Sequence, residues 1–144
     1  MKPPVDPLSV RQMTAIMIVS LLAGFGDFFS GLLLVLAPDQ ALRLMGVPPA
    51  QEPTLIQFIG VFVACVGASY LLGLVVWKRT RSCSLLKAVW QLTILFRIAA
   101  GCFVTTQIAT GHFSFAWASV PATDFTWATV QAILLRLGFF DSAA

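Results

Sequence analysis

The sequence predicts an all-α fold: a four-span transmembrane helix bundle with both termini cytoplasmic. Apolar residues make up 58% of the 144 residues, charged residues make up only 10%, and the mean hydropathy is +0.89. Soluble domains carry about 25% charged residues. Four apolar segments approach the roughly 20 residues that a helix needs to cross the hydrocarbon core of a bilayer. Residues 1–144 are therefore predicted to form a single integral membrane domain in a lipid bilayer.

The predicted spans are bounded by prolines, glycines and charged residues. They cover residues 12–37, 55–77, 85–110 and 124–140. The first span ends at Pro38, because proline cannot continue a helix. Pro38 and Asp39 are then predicted to open a short helix on the membrane surface, which ends at Gly46. The second span ends in "WKRTR", an aromatic anchor followed by a cationic cluster.

The fourth predicted span is the shortest. The segment before it, "HFSFAWASVPATD", is rich in aromatic residues and interrupted by Pro121, which is typical of an interfacial segment or of the kinked start of a helix. A span over 124–140 is shorter than the roughly 20 residues expected. It therefore requires local thinning of the bilayer, snorkelling by Arg136, or a helix start nearer Phe113.

Lysine and arginine residues are distributed unevenly between the two sides of the predicted bundle. The side that holds the termini and the "WKRTR" loop carries Lys2, Arg11, Lys78, Arg79, Arg81, Lys87 and Arg136. The opposite side carries Arg43. The positive-inside rule then places both termini in the cytoplasm. The protein is accordingly predicted to be a multi-pass protein of the cell inner membrane, and its basic charge implies no nucleic-acid partner.

Two charged residues, Asp27 and Arg97, lie near the middle of predicted spans. A charge at the bilayer centre costs about 2.5–3.5 kcal/mol on insertion scales, so such residues usually face the bundle interior and have a partner. The first and third spans run in the same direction, which puts the two residues at a similar depth. They are predicted to form an intramembrane ion pair or polar pocket together with Ser30, Gln131 and Trp90.

Each predicted span presents one face of small or polar residues to a shared interior. On the first span this face includes Ser20, Gly24 and Gly31, and on the third it includes Trp90, Thr93 and Gly101. The second span contributes Gln57, Gly60, Ala64 and Gly67, and the fourth contributes Asp124, Ala128 and Gln131. Small residues let two helices approach closely in a membrane. These faces are therefore predicted to line the bundle interior.

Three readings of Asp27 and Arg97 stay open from the sequence. The pair can be a structural ion pair that fixes the helix register. It can instead form the floor of a polar pocket, a proton relay or a quinone site. In the third reading, Arg97 contacts a partner subunit or a lipid phosphate by snorkelling.

Three polar residues are candidates for the outer face of the membrane: His112, Asp124 and Gln57. His112 lies among aromatic residues and is predicted to be a polar tip at the interface or, alternatively, a ligand. Asp124 is predicted at the start of the fourth helix, where a carboxylate interacts favourably with the helix dipole, with a ligand role as the alternative. Gln57 opens the second span.

The sequence contains no catalytic signature. There is no glycine-rich phosphate loop, no Ser-His-Asp set, no metal-binding spacing such as HExxH and no pair of carboxylates on one helix. The three cysteines are widely spaced, so they predict neither a disulfide framework nor a metal cluster. No catalytic residue, metal site or cofactor is predicted, and a quinone is left open as a ligand.

The first half of the chain resembles the DoxX-like group of small four-helix bacterial membrane proteins. The resemblance rests on "LLLVLAPDQALRLMGVPP" followed by "FIGVFVACVGASYLLGLV", within residues 20–76. That group includes the small subunit of a thiosulfate–quinone oxidoreductase. The resemblance therefore implies a membrane anchor or a quinone-facing subunit, and it carries over no catalytic residue to this chain.

These observations predict a non-catalytic subunit, or a quinone- or lipid-binding module, of a membrane redox or transport assembly. Other membrane subunits or further copies of the chain are the expected partners. One alternative is a small transporter or proton-conducting bundle in which Asp27 titrates. A second alternative is a membrane-embedded enzyme that modifies a quinone or lipid in an interior formed by Asp27, Arg97 and Gln131.

Overall fold

The computed structural model describes residues 10–140 and is all-helical over this range, with no β-strand. The helices are α1 (Val10–Leu36), α2 (Pro38–Leu44), α3 (Pro53–Thr80), α4 (Ser84–Ala109) and α5 (Ser119–Arg136). A short 3₁₀ helix, Phe115–Ala118, precedes α5. Residues 1–9 and 141–144, which include Lys2, lie outside the described range.

Helices α1, α3 and α4 are long and apolar enough to cross a membrane, with 27, 28 and 26 residues. Each of their ends lies within three residues of the predicted boundary. The short helix α2 also forms where it was predicted, and Gly46 follows it with a φ of 72°, a conformation that glycine adopts without strain. The three long helices indicate a small multi-pass membrane protein.

Helix α5 differs from the predicted fourth span. It begins at Ser119 and ends at Arg136, so both predicted boundaries, 124 and 140, were wrong by several residues. Pro121 lies in the first turn of the helix, where its missing N–H removes no helical hydrogen bond. With 18 residues that include Asp124 and Gln131, α5 falls outside the set of helices that qualify as spans by length and apolarity.

The long helices pack as two close pairs, α1 with α3 and α4 with α5. The first pair is held by glycines at which the two backbones touch. A Cβ atom added at Gly67 would lie 2.6 Å from the carbonyl oxygen of Gly24, and one at Gly31 would lie 2.6 Å from that of Gly60. Only glycine fits at this distance, so these residues fix the separation and register of α1 and α3.

The two ends of the bundle have separate apolar clusters. One cluster, at the end where α1 begins, contains Ile16, Leu86 and Phe140 among its buried members. We call this end the terminal end. The opposite end, where α1 ends and α5 begins, is closed by Leu42 and its neighbours in a second cluster, against which Trp117 packs. We call it the α2 end.

Candidate functional site: a charged cluster and a hydrogen-bonded layer

Arg97 of α4 forms ion pairs with carboxylates from two other helices. Its Nη2 donates to Oδ2 of Asp27 on α1, and its Nη1 donates to Oδ1 of Asp124 on α5, at 2.9 Å. The Arg97 side chain is 6% exposed, and those of Asp27 and Asp124 are 18% and 16% exposed. We call these three residues the charged cluster. It links the α1/α3 pair to the α4/α5 pair.

The structure brings Asp27 and Arg97 into direct contact, but it also corrects the placement of Asp124. The sequence placed Asp124 on the interior-lining face of the fourth span, but at the outer membrane boundary as the first residue of the helix. Because α5 begins at Ser119, Asp124 lies in the second turn instead, on the helix face that also carries Gln131. Asp124 is therefore the second anionic partner of Arg97.

A second group of polar side chains, which we call the hydrogen-bonded layer, lies nearer the terminal end. The indole N–H of Trp90 donates to Oγ of Ser20 at 2.9 Å, and the hydroxyl of Tyr70 donates to Oγ1 of Thr93 at 2.6 Å. The side-chain amide of Gln131 donates to the same Tyr70 hydroxyl. All five side chains are buried, with exposures of 0–2%. The layer connects α1, α3, α4 and α5.

The charged cluster and the hydrogen-bonded layer are two turns apart on three helices. The residue pairs are Ser20 and Asp27 on α1, Trp90 and Arg97 on α4, and Gln131 and Asp124 on α5. Residues seven positions apart share a helix face and are separated by about 10 Å along the axis. The Tyr70 phenol of α3 also lies beside the Arg97 guanidinium. The bundle interior is thus polar over two consecutive layers.

Two buried polar atoms have no hydrogen-bond partner within residues 10–140: Nε of Arg97 and Oε1 of Gln131. Native structures leave few buried polar groups unpaired. One spare donor therefore belongs to the charged cluster, and one spare acceptor belongs to the hydrogen-bonded layer.

The predicted single pocket of five residues does not form. Ser30 is exposed, and its hydroxyl donates to the main-chain carbonyl of Asp27 at 3.2 Å rather than lining the interior. Its inclusion was wrong, because Ser30 is rotated about 60° around the helix from Asp27, and this rotation leaves it exposed. Trp90 and Gln131 are buried as predicted, but they belong to the hydrogen-bonded layer and not to the charged cluster.

The remaining candidates for the outer face lie at the α2 end. The Nδ1 atom of exposed His112 lies 2.8 Å from Oγ1 of Thr110, and Thr110 ends α4. The side-chain amide of Gln57 donates to the carbonyl of Val35 at 3.0 Å. This carbonyl belongs to the last turn of α1, where main-chain acceptors lack helical partners. Gln57 therefore closes the end of α1 against α3.

Sequence reasoning missed Tyr70. It is the only tyrosine of the chain and lies in an apolar span, and a phenol at such a depth needs a hydrogen-bond partner. That signal could have placed Tyr70 at the interior. The residues that Tyr70 meets, Thr93 and Gln131, depend on how α3, α4 and α5 pack.

The two polar layers consist of ion-paired and hydrogen-bonded side chains. Within residues 10–140 there is no group of three metal-ligating side chains. Comparisons with family models, curated proteins and solved structures give no match. The DoxX-like resemblance thus stays a prediction, and the functional argument rests on the geometry of the two polar layers.

Proposed function

We propose that the chain is a non-catalytic subunit of a membrane redox or transport assembly in the cell inner membrane, of the DoxX-like type. In this proposal α5 is the fourth span and both termini are cytoplasmic. The subunit contributes a rigid helical body, with a quinone or lipid as the small molecule that it would contact.

The observation that carries this proposal is that the interior polar side chains bond mainly to one another. Arg97 uses both terminal nitrogens on carboxylates of this chain, and Tyr70 is engaged by two neighbours. Groups that are hydrogen-bonded to one another rigidify a core and specify a single packing. An enzyme that works alone needs polar groups directed at a substrate. The bonding of these groups to one another supports a scaffold role.

The charge distribution supports the proposed topology. The described cations outside the interior lie mostly at the terminal end: Arg11, Lys78, Arg79, Arg81, Lys87 and Arg136. Arg43 lies on α2 at the opposite end. An excess of lysine and arginine marks the cytoplasmic side. Asp124 and Gln131 of α5 face the other helices, and the exposed hydroxyls of Thr123 and Thr126 donate to carbonyls of the helix itself, which supports α5 as a fourth span.

The outer surface supports a lipid or subunit environment. Large apolar side chains are exposed along the helices, including Phe25 and Phe29 on α1 and Phe58 and Phe62 on α3. Within each pair the rings contact each other, with centroid distances of 5.8 Å and 4.9 Å. Such extensive apolar exposure would make a soluble protein aggregate. Acyl chains or other membrane helices are its natural neighbours.

Purification in a mild detergent, followed by mass spectrometry of bound proteins and small molecules, tests the proposed role. We expect a membrane protein to co-purify in a fixed ratio with the wild type. Chains purified alone, as a monomer or as a homo-oligomer with no other subunit, would contradict the subunit role. Reporter fusions at the carboxyl terminus test the topology separately: a periplasmic reporter active at this end would refute the cytoplasmic assignment.

A further inference from the structure

We propose that the charged cluster of Asp27, Arg97 and Asp124 is a binding site for one proton, held by one or the other of the two carboxylates. The inference goes beyond the proposed subunit role and does not depend on it. It rests on the charges that meet at this point, on their burial, and on the difference in exposure between the cluster and the layer beneath it.

The charges of the cluster do not balance when both carboxylates are ionised. Two ionised carboxylates and one guanidinium leave a net charge of −1, at a position where three helices of the bundle meet. An uncompensated charge inside a membrane is unfavourable, and like charges that share a site disfavour ionisation of both. One added proton makes the cluster neutral. Arg97 then keeps one ionised partner and one neutral hydrogen-bonding partner.

No other cation of the described residues can neutralise the cluster. Asp27 is faced by Arg97 from α4 and by Asp124 from α5, and the Tyr70 side chain of α3 lies beside Arg97. The remaining described cations lie on end turns and surface segments of the bundle. The excess negative charge must therefore be met from outside these residues.

A proton fits the cluster better than a metal ion. Hard divalent cations require six or more oxygen ligands, whereas the cluster offers two carboxylates already bound to Arg97. The guanidinium also occupies the space between them. A proton needs only one carboxylate oxygen and no coordination shell.

A second observation marks the cluster as incomplete. Arg97 is 5% exposed, and its buried Nε–H has no acceptor within residues 10–140. This Nε–H can therefore hold an exchangeable hydrogen-bond acceptor beside the two carboxylates. The carboxylate side chains are 16–18% exposed, whereas the side chains of the hydrogen-bonded layer are 0–2% exposed. The proton would thus be exchanged at the cluster itself and not through the layer toward the terminal end.

Infrared spectroscopy of the full chain in lipid tests the proposal. The spectra are recorded at neutral pH, and hydrogen–deuterium shifts identify the protonated carboxyl groups. We expect a signal from one protonated carboxyl group per chain in the wild type. Asp27→Asn and Asp124→Asn should each abolish it, because the remaining carboxylate forms a neutral pair with Arg97. Arg97→Gln should raise it to two. Asp39→Asn is the matched control, since Asp39 is exposed on α2, and should leave one signal.

Three results would overturn the proposal. A wild type without a protonated carboxyl signal at neutral pH would show that both carboxylates are ionised. A carboxylate band that shifts on addition of sodium, in place of the protonated signal, would assign the site to a metal cation. A signal that persists in Asp27→Asn and Asp124→Asn would place the proton elsewhere. The two aspartate variants retain a balanced pair with Arg97, so they remain informative even if Arg97→Gln fails to fold.

Discussion

Replacing Gly67 by alanine should destabilise the bundle through a single methyl group. The added Cβ would lie 2.6 Å from the carbonyl oxygen of Gly24, and it would lie closer still to the backbone of Phe28. Ordinary van der Waals contact begins at 3.4 Å, so the distance to the Gly24 oxygen is about 0.8 Å too short. These obstacles are main-chain atoms of α1, so no side-chain rotation relieves them. The two helices must move apart.

The magnitude follows from two opposing effects. Overpacking of a well-packed interface costs about 1–3 kcal/mol, whereas alanine is favoured over glycine inside a helix by up to about 1 kcal/mol. Gly26→Ala on α1 is the matched control, because a Cβ there meets nothing within 4 Å. Both variants change helix propensity alike. The difference between them therefore isolates the helix contact, and we expect Gly67→Ala to be less stable by about 1–3 kcal/mol.

The assay is reversible unfolding of the purified chain in mixed micelles with increasing SDS, followed by helical circular dichroism. Gly26→Ala should unfold at or slightly above the wild-type midpoint, and Gly67→Ala clearly below it. Equal midpoints for the two variants would refute the close contact of α1 with α3. That result would also remove the geometric basis for the position of Asp27.

Three further predictions concern the interior and the loop before α4. Arg97→Leu leaves two buried carboxylates without a cation, which should cost about 3–5 kcal/mol and lower the amount of protein in the membrane on immunoblots. Adding Asp27→Asn and Asp124→Asn together should restore the amount of protein more than adding either alone. Wild-type levels of Arg97→Leu would contradict the ion pairs. Tyr70→Phe leaves the Gln131 amide unpaired and should cost about 1–3 kcal/mol in the same SDS titration, so an unchanged midpoint would exclude the hydrogen-bonded layer. Burial raises the pKa of the Cys83 thiol, so labelling by a maleimide should be slow at neutral pH and accelerate at higher pH, because the thiolate is the nucleophile. The reference is Ser82→Cys, at an exposed position, in a chain that also carries Cys83→Ser. Labelling of Cys83 as fast as that of the reference would contradict this burial.

Local physical chemistry explains the part of the fold that the sequence predicted. The boundaries of α1, α3 and α4 follow from apolar length and from helix-ending residues, and such signals act within a few turns of the chain. The short helix α2 follows from Pro38 at its start and Gly46 after its end. The fourth helix was predicted to begin at Asp124, after Pro121, whereas α5 begins at Ser119 and includes Pro121 in its first turn, where proline is tolerated.

The charged cluster shows where prediction from the sequence stops. A charge in an apolar span demands a partner, so Asp27 and Arg97 were identified from their residue types and depth alone. The second carboxylate was not assigned to Arg97, because this requires the actual start of α5. The earlier start of α5 adds more than one turn ahead of Asp124, so this residue lies within the helix instead of at its end.

The sequence by itself thus determined the membrane environment, the three long helices and the presence of buried charges, because composition and helical periodicity are properties of a single segment. Only the tertiary structure decided which side chains meet. The contact of Gly24 with Gly67 sets the approach of α1 to α3, and Arg97 and Tyr70 bridge the two helix pairs. Such contacts depend on the distance and rotation between helices, which no segment encodes alone.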